Sequence, residues 1–161
     1  MAVALALVAS ACGTDDLTRS CDGQFVGACR PFELAVITEA AFTPQLLPVG
    51  DFAQRAQITV AFDRCEMAPR RPIVVLSARI PNPEEPGEER IIPLLDLEDD
   101  GTNGDPVADD DVIDVDVANP FIANVPPNTE LTLRFVPRSG VGGCAGEAVE
   151  LPYRTGPRFE P

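Results

Sequence analysis

The chain has 161 residues, enough for one domain with a real core, and its apolar content of 45% argues against disorder. A formal charge of −14 repels phosphate backbones and anionic lipid surfaces, which argues against a nucleic-acid partner. All twelve basic residues are Arg, and there is no Lys, His or Trp and a single Tyr, so His-based triads, imidazole metal sites, Schiff-base lysines and P-loop lysines are excluded.

The chain opens on an apolar run, "MAVALALV", followed by small residues and Cys12. At roughly ten residues the run is far short of the ~20 needed to span a bilayer, and it suits the apolar region and cleavage site of an export signal. Ala9-Ser10-Ala11-Cys12 resembles the lipobox of bacterial lipoproteins. The resemblance implies cleavage before Cys12, attachment of a diacylglycerol to its thiol, and membrane association through that lipid. No Lys or Arg precedes the run, a departure from the pattern that leaves the translation start open. The competing readings are a cleaved signal without lipid and an ordinary buried first element. Gly13 follows Cys12 in place of the Asp that retains enterobacterial lipoproteins in the inner membrane, so the implied address is the bacterial cell envelope at the outer membrane.

With Cys12 set aside, Cys21, Cys29, Cys65 and Cys144 are an even number in an exported chain and read as two disulfides. Three connectivities are open. The preferred one joins Cys21 to Cys29 around a short loop and Cys65 to Cys144 across the body, the latter worth roughly 4 kcal/mol by loop closure. No pair has C-x₂-C spacing, which disfavours zinc. The expected organisation is a signal peptide over 1–11, a lipid-anchored polar tether over 12–29 and one domain over 30–161.

From residue 30 the apolar period becomes two. In "FELAVIT", Phe32, Leu34 and Val36 alternate with Glu33, Ala35 and Ile37; β-branching at Val36, Ile37 and Thr38 favours strand over helix. In "AQITVAFD", Ala56, Ile58, Val60 and Phe62 alternate with Gln57, Thr59, Ala61 and Asp63. "IVVLSARI", residues 73–80, is apolar on both parities at first and suits a central strand. Further strands are expected over 89–97, 112–118, 129–136 and 147–154. Between them lie the breaker clusters "TPQLLPVGD", "MAPRRP", "PNPEEPGEE", "NPFIANVPPN" and "RSGVGGCAG". About seven short strands punctuated by Pro and Gly predict an all-β fold, a single antiparallel β-sandwich of Ig-like or fibronectin-like type.

"LEDDGTNGDPVADDD", residues 97–111, holds seven carboxylates and no basic residue. Gly101 and Gly104 permit a tight turn that brings Asp99, Asp100, Asn103 and Asp105 close together. An all-oxygen donor set favours Ca²⁺, with Asp110 as a further ligand candidate. The spacing fails as an EF-hand: position 3 is Gly101, position 12 is Asp110 where Glu is expected, and no helices flank it. "DDGTNGDPVADDD" is similar to the D-D-G-x-x-G-D-x-x-A-G-D-G loop of Ig-like sandwich modules in bacterial surface and secreted proteins. Asp99, Asp100, Gly101, Gly104, Asp105, Ala108 and Asp110 match; Asp109 and Asp111 stand where those loops have Gly, and Ile113 where an aromatic is usual. The resemblance implies a sandwich and a Ca²⁺-stabilised loop. The competing reading is a solvated acidic turn.

Catalysis is disfavoured. Paired carboxylates hydrolyse glycosides, but sugar sites usually need aromatic platforms, and contiguous Asp residues share one environment where a catalytic pair needs two. Ser20, Ser77 and Ser139 have no imidazole partner and no G-x-S-x-G is present. The expected function is therefore an exported, lipid-anchored envelope module that binds an envelope protein or polysaccharide or serves as structure, with no required cofactor. The alternatives are a Ca²⁺-dependent adhesion or polysaccharide-binding module and an unrecognised hydrolase.

Overall fold

The period-two alternation resolves into eight strands and no helix in the computed structural model, which describes residues 35–64, 73–82, 84–85, 87–102, 104–122, 124–138 and 145–160. The expected signal peptide and tether, Cys12, Cys21, Cys29, Cys65, Cys144 and Asn103 lie outside these residues. The strands are β1 Ala35–Thr43, β2 Leu46–Val49, β3 Arg55–Arg64, β4 Ile73–Pro81, β5 Glu89–Glu98, β6 Val112–Ala118, β7 Glu130–Arg138 and β8 Val149–Arg158. They form a three-stranded sheet, β1-β3-β6, and a five-stranded sheet, β2-β8-β7-β4-β5. This is the two-sheet sandwich expected from the alternation, with eight strands where about seven were expected.

The inward parities show why the sheets face each other. Ala56, Ile58, Val60 and Phe62 of β3 and Ile113 and Val115 of β6 are buried against Val74, Leu76, Ala78 and Ile80 of β4 and Leu131, Leu133 and Phe135 of β7. The Val, Leu, Ile and Phe side chains among them contribute about 1.5–3 kcal/mol each by leaving water. The intervening residues, Arg55, Gln57, Asp114, Asp116, Arg79 and Arg134 among them, face outward. As its two-sided apolar start predicted, β4 is interior to its sheet, paired with β5 on one side and β7 on the other.

Two expectations are corrected. First, the segment read as a breaker, "TPQLLPVGD", contains an eighth strand. After the cis Thr43–Pro44 peptide the chain leaves β1's sheet, and β2 pairs with β8 in parallel, so the sandwich is not wholly antiparallel. Leu47 and Val49 are buried, and Pro48 is tolerated because β2 is an edge strand. The close approach needs a small residue opposite: a Cβ on Gly156 would stand 3.1 Å from the Leu47 carbonyl oxygen. Second, β1 does not keep one inward parity. A register shift between Ile37 and Glu39 leaves Thr38 as an extra residue, so Ala35 and Ile37 face inward before it and Ala40 and Phe42 after it.

Candidate functional site: the acidic crossover loop

Residues 99–111 carry the chain from β5 in the larger sheet to β6 in the smaller one, so the acidic stretch is an inter-sheet crossover. Its first carboxylate organises it. Asp99 is 0% exposed; its Oδ1 accepts the N–H of Asp109 at 2.7 Å and its Oδ2 accepts the N–H of Asp111 at 3.0 Å. One side chain at the start of the loop thus holds the backbone at its end. Hydrogen bonds to a carboxylate contribute about 1.5–3 kcal/mol each.

The remaining acids act more locally. Asp105, 4% exposed, accepts the Gly101 N–H through Oδ2 at 3.1 Å, while its own N–H donates to the Thr102 carbonyl at 3.0 Å. Asp100 Oδ1 accepts from the Thr102 N–H at 2.9 Å and from the Thr102 hydroxyl at 2.6 Å. Asp110 is exposed and its Oδ1 accepts the Val112 N–H at 3.1 Å, where β6 begins. The Asp111 carbonyl accepts the Phe62 N–H at 3.0 Å, tying the loop's exit to β3.

Gly101 and Gly104 have φ of 72° and 98°, as the turn requires. A Cβ on Gly104 would stand 3.2 Å from the Asp116 amide nitrogen, which places the loop along the free side of β6. Asp109 and Asp111, the two positions where the similar loops have Gly, adopt φ of 63° and 65°. Asp is one of the few residues other than Gly that enters this region readily.

Of the five ligand candidates, Asp99 and Asp105 are buried with their carboxylates turned to backbone amides, Asp100 and Asp110 cap turns nearer the surface, and Asn103 lies outside the described residues. Among the described residues no three acidic side chains converge as a group able to hold a metal ion.

A second constellation lies at the opposite end of the sandwich and was not singled out in the sequence. Phe42, Phe121 and Tyr153 form an aromatic trio with ring centroids 5.0–5.8 Å apart. The Tyr153 hydroxyl donates to the Pro44 carbonyl at 2.9 Å, at the point where the chain changes sheets. Burial pushes its ionisation above the ordinary range of a phenol, offset in part by the backbone of Leu47. Beside it, Asn119 donates to the carbonyls of Pro48 at 2.6 Å and Asp51 at 3.1 Å and accepts the Phe121 N–H at 2.9 Å. An open groove of about 1000 Å³ runs past this end, lined by Phe42, Gln45, Arg79, Glu130 and Tyr153 among others. In its wall Arg79 bridges Glu89 at 3.3 Å and Glu150 at 2.8 Å, and Arg134 bridges the same Glu150 at 2.9 Å. Only the singular Tyr could have pointed to this end from sequence.

Neither a protein family nor a curated protein sequence matches the chain. What can be said of its class rests on the fold: an all-β sandwich of eight strands in two sheets.

Proposed function

We propose that the chain is an exported, lipid-anchored module of the bacterial cell envelope, at the outer membrane, that acts by binding or as structure and not by catalysis. The single observation carrying this reading is the apolar run ending in Ala9-Ser10-Ala11-Cys12 ahead of a polar stretch. The fold supports it, since a β-sandwich entered by the chain at one end is a suitable body for a tethered module. The acidic loop supports it too: its buried carboxylates are acceptors for backbone amides, an architectural role. Cys21, Cys29, Cys65 and Cys144 pair as two disulfides in this reading, and the oxidised protein titrates with no free thiol among them.

The deciding experiment is Cys12→Ala followed by detergent-phase partition. Release of the variant into the aqueous phase, with the parent in the detergent phase, supports anchoring; identical partition of the two overturns it. Stable attachment requires more than one acyl chain, so mass spectrometry of the parent's N-terminal peptide gives a direct second readout.

A further inference from the structure

We propose that the open edge of β5 is a docking strand for a basic, extended segment of another protein, which adds to the five-stranded sheet as a sixth strand. β5 closes the order β2-β8-β7-β4-β5 and pairs only with β4, so its other long side presents backbone donors and acceptors with no strand partner among the described residues. At ten residues it is long enough to template a partner, whereas β2, at the other edge of the sheet, has four residues and includes Pro48. In the smaller sheet, the acidic loop approaches β6 at Gly104, and β1 carries one acid, Glu39, against three on β5.

Charge selects the occupant. β5 carries Glu89, Asp96 and Glu98, all exposed, against one cation, Arg90, whose guanidinium donates to the Asn124 carbonyl at 3.2 Å. The β4–β5 turn adds exposed Glu84, Glu85 and Glu88, and the crossover loop adds exposed Asp109 and Asp110 at the strand's other end. A second copy of this edge would set acid against acid, which destabilises directly opposed cross-strand pairs. A Lys- or Arg-bearing strand meets complementary charge at both ends of the run. Ile91, 53% exposed, offers an apolar contact for alternate side chains of the incoming strand. Pro93 and the register shift that leaves Leu94 extra divide the edge into two runs, residues 89–92 and 95–98. These features limit indiscriminate pairing while leaving both runs able to hydrogen bond.

The inference deepens the binding-module reading and rests on it for its biological sense, while Cys12→Ala tests anchoring alone, so the two fail separately. The probe is a capped peptide of about eight residues alternating Lys and Val, matched to the length of a typical strand. It is titrated into the full chain and followed by hydrogen exchange of the β5 amides. Expected are slower exchange along β5, affinity that falls as salt rises, and a loss of about tenfold or more on N-methylating alternate peptide residues, since several hydrogen bonds vanish while the charge stays. A Glu–Val peptide does not bind. Asp96→Lys combined with Glu98→Lys, both exposed and checked for an unchanged fold by circular dichroism, reverses the preference between the two peptides. Absence of binding, equal binding of the N-methylated peptide, protection confined to other strands, or an unreversed preference in the double variant would each overturn the proposal.

Discussion

The two ends of the sandwich solve the same problem by different chemistry. At each end the chain must pass from one sheet to the other without stranding polar backbone. The acidic end does so with carboxylates: Asp99 holds the amides of Asp109 and Asp111, and Asp105 holds that of Gly101. The opposite end does so with a neutral amide, Asn119, and an aromatic trio capped by the Tyr153 hydroxyl. The comparison teaches that abundance of charge and importance of charge are separate. Of seven carboxylates in residues 97–111, Asp99 spans the loop, while Asp100, Asp105 and Asp110 hold backbone within single turns.

The sharpest way to break this contrast is Asp99→Ala. It leaves two amides without their buried acceptor, and the expected loss is about 3 kcal/mol of unfolding free energy by urea titration. If the loop were an ordinary solvated turn, the same change would be near neutral. At the neutral end, Asn119→Ala removes three hydrogen bonds at a residue 2% exposed; about 2 kcal/mol is expected in the same measurement. A loss at Asn119 larger than at Asp99 would invert the comparison.

Tyr153 sharpens it through pH. Its folded ionisation lies above the ordinary phenol value of about 10, so below pH ~10 the group is protonated in both states and adds no slope. Above that value the unfolded chain loses a proton that the folded chain keeps, and stability falls as pH rises. With one Tyr and no Lys in the sequence, few other groups confuse the readout. Tyr153→Phe costs about 1 kcal/mol at neutral pH from the lost bond to Pro44, and melting curves between pH 9 and 11 (roughly one unit either side of the ordinary value) become flatter than the parent's.

The smallest expected effect concerns Ca²⁺. With Asp99 and Asp105 turned to amides, millimolar Ca²⁺ raises the melting temperature no more than NaCl of matched ionic strength, since both act by screening the net charge. A Ca²⁺-specific rise that Asp100→Asn with Asp110→Asn removes would show instead that the outer carboxylates bind the ion by mass action.

Much of the fold was legible because burial on one face writes itself into alternate residues, as at Ala56, Ile58, Val60 and Phe62. β2 escaped because four residues around Pro48 are too short to show a period, and they are held by a distant strand through Gly156. The inward parity of β1 was misread before its bulge and changes again after it. Ala35 and Ile37 are buried where the alternation set them opposite Val36, because apolar residues on both parities leave the face undecided. The register shift after Ile37 then moves the inward set to Ala40 and Phe42. In the acidic loop, the turns at Gly101 and Gly104 were readable from residue type. The distinction between buried Asp99 and exposed Asp110 was not, because it depends on which part of the loop lies against β6. Asn119 gave no signal at all, since an Asn between apolar residues reads as a breaker until its three partners are brought to it.

The course of the chain through the sandwich has a mechanical consequence. Ala35, paired with Arg64, enters beside the acidic loop, and Phe159, whose N–H donates to the Val49 carbonyl at 2.9 Å, leaves at the opposite end. Between them β2 and β8 lie side by side and point the same way. Tension applied between the two ends therefore pulls along the strands and loads the β2–β8 hydrogen bonds together in shear, where a hairpin opened from its turnless end would release them one after another. A module built this way resists stretching between its two ends better than its count of hydrogen bonds alone would suggest.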